Sequence, residues 1–574
     1  MKSKLLVTLV VLAVCLSLVG LVACDGGLSE LVSNTMSGNE NNTVNGSTTD
    51  ESTSVAEAVT DTTVTAEETT EVFEIATEDG EYVQEGAVYT ITKAGTYSLS
   101  GALEGQILVE ASEDDEVVLE LNGVTITYGE DSPIKVIEAD KVEISAKKGT
   151  ENVIKDTRSV KTVDTDAQGE GAIYAKCDLK LKGNGVLVVT AGYNNGIHTT
   201  KDLSIKNLSL KVTAVNNAIK GNDSVTVESG TVVAISTKGD GIKTENTDAN
   251  KNGEVRGDVT ITGGSVAVYA AGDGIQAAHN FEISAAGEEA PSLTIYTGSY
   301  SGYTASNAST TSYKGVKVQN ELNILAGEVT IHSYDDGLHA DYGTTFEAGG
   351  KGQGTINISG GTVTLAVYSP TTMTMGGMAG PGFGGRGGGW SNQQSVKGAD
   401  GIHADYQLNI SGGVVNVDSA YEGLEGNLIN ISGGTTTVAA NDDGINACSG
   451  VSTPLITVSG GYLDVTVSPS GDMDGIDSNG SYVQTGGVVI TRGPNNQNMA
   501  ALDVDERGSA TISGGTLVVL GYANVKTSGS VRTYSLSLHA AGSHSITVDG
   551  VTYTFKNASA YGKTTVYSSV GVTA

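Results

Sequence analysis

With 574 residues the chain is long for one compact core, and its 78 glycines against 7 prolines, set among Thr, Ser, Val and Ile, indicate β-strands joined by tight turns. A net charge of −34 argues against nucleic acid and anionic membrane surfaces as partners. It fits an extracellular protein, a cation binder, or both.

The chain opens with Lys2 and Lys4 before an apolar run from Leu5 to Val14, extended by Leu16, Leu18 and Val19. A charged start, an apolar middle and a small residue before the cut describe a signal peptide over residues 1–23. The ending Leu21-Val22-Ala23-Cys24 resembles a bacterial lipobox. That resemblance implies cleavage before Cys24, lipidation of its sulfur, and an extracellular chain anchored to the bacterial cell membrane. The alternative is an ordinary signal peptide with a chance cysteine. Residues 24–71 then read as the lipidated cysteine and a disordered Ser/Thr/Asn-rich tether, too poor in apolar groups to fold.

Order is expected from residue 72. Val88 to Gly101 alternates as half-buried strands do, and Val117 to Ile126 follows. These form an expected N-terminal β cap and first coils, because an open row of strand ends needs covering. From about Ala172 one phrase recurs: an acid or amide, Gly, then Ile or Leu. It begins at Asn195, Asp240, Asp273, Asp336, Asp400, Glu422, Asp443 and Asp474. Where nothing intervenes the spacing is roughly 22 residues, a solenoid period. Between Gly401 and Glu422 the pattern gives three short strands: Gly401 to Asp405, Gln407 to Ser411, and Val414 to Asp418. Ile-Ser-Gly-Gly marks the same phase at Ile358, Ile410, Ile431 and Ile512. The aliphatic residues would stack inward as one core. The reading is an all-β parallel β-helix over residues 72–530, interrupted by a Gly/Met-rich insert at 369–396. Residues 531–574 would form a C-terminal β cap, with an Asp549-Gly550 hairpin turn. Cys177 and Cys448 lie many coils apart and are expected to be buried fillers rather than a disulfide.

Strands stack about 4.8 Å apart, so the repeated acids would form a column of like charges. It would run Asp240, Asp273, Asp336, Asp400, Glu422, Asp443 and Asp474, with Lys314 between Asp273 and Asp336. Buried like charges raise one another's pKa, and a hard dication relieves them. Calcium, with its preference for oxygen ligands, is the expected ion, and the doubled acids Asp335-Asp336 and Asp442-Asp443 are its expected nuclei. Few histidines and no paired cysteines weigh against zinc. A hydrogen-bonded ladder of ordinary turn residues is the alternative, and Asn195 and Asn217 suit it equally well. Alternation places His198, Lys220, Lys243, Lys317, His339, His403, Asp405, Glu425, Asn446 and Asp477 on the outward face. That row could contact a long polar ligand or simply be solvated. Tyr342, Tyr406 and Trp390 could stack on sugar rings or pack loops.

Four features together carry a family resemblance. They are Thr90-Ile91-Thr92-Lys93-Ala94-Gly95-Thr96-Tyr97; Leu119-Glu120-Leu121-Asn122-Gly123-Val124; the repeated Asp-Gly-Ile with Ile-Ser-Gly-Gly; and the Gly/Met-rich insert. From about residue 72 onward the chain resembles the bacterial carbohydrate-binding β-helix proteins first described in cellulolytic clostridia. The resemblance implies a right-handed helix similar to polysaccharide lyases, bound calcium, and affinity for plant cell-wall polysaccharide such as cellulose or pectic acid. The expected protein is a non-catalytic surface lipoprotein and a monomer. One alternative is a calcium-dependent pectate lyase, which needs a basic residue for the C5 proton, with Lys243 and Lys317 as candidates. Another is an adhesin recognising a protein.

Overall fold

In a computed structural model of the chain, the described residues are 71–161, 168–298, 312–342, 352–368 and 398–574. The signal peptide, Cys24, the tether apart from residue 71, and the whole Gly/Met-rich insert with Trp390 lie outside them. Every regular element among the described residues is a β-strand; 45 are hydrogen-bonded into one sheet and three into another. The large sheet is mostly parallel.

Through the regular body each strand pairs in parallel with the third strand after it, giving three ladders. One passes through Asn195–Thr199, Ile219–Gly221, Ile242–Lys243, Ile275–Ala277, Val316–Val318 and Leu338–Ala340. It continues through Ile402–Ile410, Leu424–Ile431, Ile445–Ala447 and Ile476–Ser478. Its pairing register puts Ile197, Ile219, Ile242, Ile275, Val316, Leu338, Ile402, Leu424, Ile445 and Ile476 in one column, each fully buried. Period-two alternation sends one side chain inward and the next outward. The inward sets of all three ladders form one continuous apolar core.

Two glycine positions recur for different reasons. The second Gly of each Gly-Gly pair takes a positive φ, 75° at Gly413 and at Gly434, which a side chain disfavours. The Gly of the recurring Asp-Gly-Ile or Asp-Gly-Leu phrase does not. At Gly401 a Cβ would lie 2.6 Å from the Gly423 carbonyl oxygen, so close approach of the next strand excludes a side chain. Asp-Gly here therefore serves packing, rather than the turn chemistry that the dipeptide suggests.

Two successive segments depart from the three-strand reading. Ile402–Ile410 and Leu424–Ile431 are each a single strand serving two ladders, and their pairing shifts register between Ala404 and Gln407. The extended path of Asp405 and Tyr406 replaces the bend found in other repeats. At the C-terminal end Gly542–Val548 and Val551–Asn557 form the hairpin around Asp549-Gly550, both residues at positive φ. These strands and Val572–Thr573 make the separate antiparallel sheet. The sheet packs Ile546, Val548 and Phe555 against Val488, Ile490, Val518 and Leu520 as a second core. Thr564–Ser568 instead joins the large sheet antiparallel to Thr516–Leu520. Cys177 and Cys448 are free thiols, Cys177 buried and Cys448 only partly so.

Candidate functional site

The recurring acids stand in register. The N–H after each acidic position donates to the carbonyl of the corresponding acid in the next repeat: Gly315 to Asp336, Gly337 to Asp400, Gly401 to Glu422, Gly423 to Asp443 and Gly444 to Asp474. Asp240, Asp273 and Lys314 continue the same column. The side chains add a second ladder. Oδ1 of Asp240 accepts from the Asp273 amide (2.9 Å), and that of Asp273 from the Lys314 amide (2.8 Å). Asp336 accepts from the Asp400 amide (2.8 Å), and Asp443 from the Asp474 amide (2.7 Å). Asn195 makes the same bond to Asn217 at 3.2 Å. One oxygen of each of these acids is thus committed to holding the next repeat, and the other oxygen remains for chemistry.

What meets that second oxygen divides the column. Lys243 pairs with Asp240 at 2.9 Å. Lys314 bridges Asp335 at 3.1 Å and Asp336 at 2.5 Å. Burial opposes the Lys314 ammonium, but the two carboxylates outweigh it and raise its pKa. His339 contacts Oδ2 of Asp336 at 2.7 Å through Nδ1, and Asp341 at 2.8 Å through Nε2. His403 repeats the arrangement with Asp400 at 3.0 Å and Asp405 at 3.1 Å, and its Nδ1 also meets Glu425 at 2.7 Å. The two imidazoles stack with centroids 4.7 Å apart. These groups, with Lys317, Tyr421 and Glu422, line an open cleft of about 430 Å³.

The charges perturb one another strongly. Burial alone would hold Asp336 high, yet Lys314 and His339 bring it well below the ordinary carboxylate range. Burial and the charge of Asp336 push Asp400 up, against the pull of His403. Burial disfavours the His403 imidazolium, but Asp400, Asp405 and Glu425 raise its pKa well above the usual value. Burial likewise opposes Asp341 and Glu425, and contact with His339 and His403 respectively brings each down to about 2.

Beyond Glu425 the column changes character. Burial, then Glu425, raises Glu422 to about 7. Burial raises Asp443 to about 8, Asp474 to about 7 and Asp477 to about 6. The charged side chains acting on these last three are all acids, among them Asp442, Asp472 and Asp503. Beside them Oδ1 of Asn446 is buried and accepts no hydrogen bond, while its amide nitrogen donates to Glu422 at 3.0 Å.

The outward row aligns as His198, Lys220, Lys243, Gln276, Lys317, His339, His403, Glu425, Asn446 and Asp477. His198 and His339 are nonetheless buried, so this face is not a freely solvated one. Lys317 lies 3.7 Å from Asp341, and both candidate lyase bases are therefore engaged by carboxylates. Tyr342 and Tyr406 sit beside Asp341 and Asp405 and do not line the cleft; Tyr421 does. Asp341 escaped sequence reasoning although its signal was present. Asp336-Gly337-Leu338-His339-Ala340-Asp341 and Asp400-Gly401-Ile402-His403-Ala404-Asp405 are the same hexapeptide apart from Leu and Ile.

Comparison with known proteins adds three findings. A family model described as carbohydrate-binding domain-containing protein matches residues 85–369, 347–444 and 387–562. A carbohydrate-binding domain-containing protein of Acetivibrio thermocellus is 41% identical over 138 residues, which are 24% of this chain and 48% of that relative. The aligned stretch thus spans about half the relative's length. A solved structure of the polysaccharide lyase-like protein from C. thermocellum, a gadolinium derivative, aligns at 35% identity with a TM-score of 0.37. It covers 43% of this chain and 90% of its own.

Proposed function

The chain belongs to the family of carbohydrate-binding domain-containing proteins, and from that premise we propose that it is a non-catalytic, calcium-stabilised binder of plant cell-wall polysaccharide, cellulose or pectic acid. The three ladders are read as the faces of a right-handed parallel β-helix, with antiparallel strands capping its ends. Residues 1–23 and Cys24 would export the chain and anchor it outside the cell. The observation that carries the reading is the line of polar and charged side chains along one ladder. It spans several repeats and opens into the cleft around His339 and His403. A surface extended along one direction suits a polymer.

Calcium would be held by Asp442, Asp443, Asp474 and Asp477, with Asn446 Oδ1 as a neutral ligand. The donors there are all oxygen, the charged side chains named as acting on them among the described residues are acids, and one buried oxygen has no donor, which fits a hard dication. Around Asp336 and Asp400, by contrast, Lys314 already supplies positive charge and the imidazoles of His339 and His403 occupy the remaining carboxylate oxygens. The ion would offset part of the acidic repulsion that otherwise disfavours an anionic glycan.

The ion pairs of Lys243 and Lys317 favour binding over lysis. The test is retention on insoluble cellulose and on immobilised polygalacturonate, with and without calcium, alongside absorbance of unsaturated product. Retention without product is expected. Product formation on polygalacturonate would replace the binder with a lyase, and no retention on either glycan would favour a protein-recognising adhesin.

A further inference from the structure

The paired His-Ala-Asp segments of the cleft hold a feature that contact with a glycan does not require and that calcium does not satisfy. Each imidazole has a carboxylate oxygen on both of its nitrogens, between 2.7 and 3.1 Å away. A neutral imidazole has one N–H, so it can satisfy one of the two. The other nitrogen must then direct a lone pair at an acceptor, unless the facing carboxyl carries the proton or a cation lies between them. Protonating both rings is one remedy, but it stacks two like charges face to face with centroids 4.7 Å apart.

We propose that this cleft binds one transition-metal dication of the zinc class, ligated by His339 and His403 through nitrogen and by Asp341 and Asp405 through oxygen. The donor atoms of His339, Asp341 and Asp405 already lie within 4.8 Å of one another. The stacked His403 presents its Nε2 on the next strand beside Asp405. Asp336 and Asp400 occupy the opposite ring nitrogens, the arrangement that orients metal-bound imidazoles and sets their tautomer. The outer oxygens of the two carboxylate ligands are held as well, Asp405 by the Tyr342 amide at 3.2 Å and Asp341 near Lys317 at 3.7 Å. A mixed imidazole and carboxylate set suits zinc, cobalt or nickel and discriminates against calcium, which takes oxygen. The site lies apart from the all-acid stretch from Asp442 to Asp477, and its metal is independent of the glycan reading.

The test uses the full chain, stripped of metal and then saturated with calcium so that all-oxygen sites are filled. Zinc is titrated calorimetrically, and cobalt(II) is followed by its visible absorption. One zinc per chain and a cobalt spectrum of a nitrogen-containing site are expected. Both should be lost in the double variant His339→Gln/His403→Gln, and Asp400→Asn should weaken zinc by about 10–100-fold. Melting of the double variant with and without calcium checks its fold. Should it not fold, Asp341→Asn, whose side chain is 29% exposed, carries the comparison. The proposal is overturned if the calcium-saturated protein takes up no zinc, or if the histidine variant binds zinc with unchanged affinity. Glycan retention that persists in a zinc-free protein leaves it standing.

Discussion

Replacing Asp443 by Asn removes a charge and keeps a hydrogen bond. The Asn side-chain oxygen can still accept from the Asp474 amide, now at 2.7 Å. Burial and neighbouring acids raise the Asp443 carboxyl from 3.8 to about 8 in the fold. Between those values the folded chain binds more protons at this site than the unfolded chain does. Stability therefore falls as pH rises from 3.8 to about 8, and the loss is complete above that window. At about 1.4 kcal/mol per pKa unit the ceiling is roughly 6 kcal/mol. Asp443 is only partly buried, and solvent screening brings the expected cost to about 3 kcal/mol. In the presence of a chelator, Asp443→Asn should thus raise the melting temperature at pH 8.5 and change it little at pH 4. With calcium at pH 8.5 the order should invert, because the wild type gains a bound ion that the variant lacks. Thermal unfolding of both proteins, at both pH values, with chelator and with calcium, gives the comparison. Equal destabilisation by the variant under all of these conditions would refute the electrostatic reasoning and leave Asp443 as a plain hydrogen-bonding residue.

Lys314→Met should destabilise by about 3–5 kcal/mol, since it leaves the buried Asp336 without its ammonium partner; urea unfolding reads the loss, and adding Asp336→Asn to it should restore part. Ile402→Ala, in the fully buried column, should cost about 2–5 kcal/mol. Hydrogen exchange should show that cost concentrated in the repeats flanking Ile402, because each repeat contacts its neighbours alone.

The stacking register was legible because two independent signals, Gly-Ile and Ser-Gly-Gly, recur at one phase. The aliphatic residues of the first do form the column from Ile197 to Ile476, and those of the second stack through Ile358, Ile410 and Ile431 in another ladder. The division of the acid column was not legible. Whether an acid meets Lys314, a histidine or only another acid depends on side-chain reach across strands, which periodicity does not encode. The histidine pair was hidden for a different reason. His339 and His403 are adjacent in register but 64 positions apart in the chain, with the Gly/Met-rich insert between them. Asp341 is the counterpart of Asp405, and its role was hidden because the shared His-Ala-Asp ending occurs in only two of the repeats. The geometry shows a hydrogen-bonded ladder that uses one oxygen of each such carboxylate and leaves the other open to a different partner.

The end-to-end parallel ladders have a mechanical consequence. Hydrogen bonds between successive repeats lie along the direction in which the repeats follow one another. A pull on the two ends therefore loads these interfaces in series, and the weakest one yields first. Each carboxylate that accepts the next repeat's amide adds a bond across such an interface, as Asp336 does to Asp400 and Asp443 to Asp474. The acid column is thus also a reinforcing seam. A cation joining its free oxygens would stiffen that seam, so the force at which the chain unravels should report on ion occupancy.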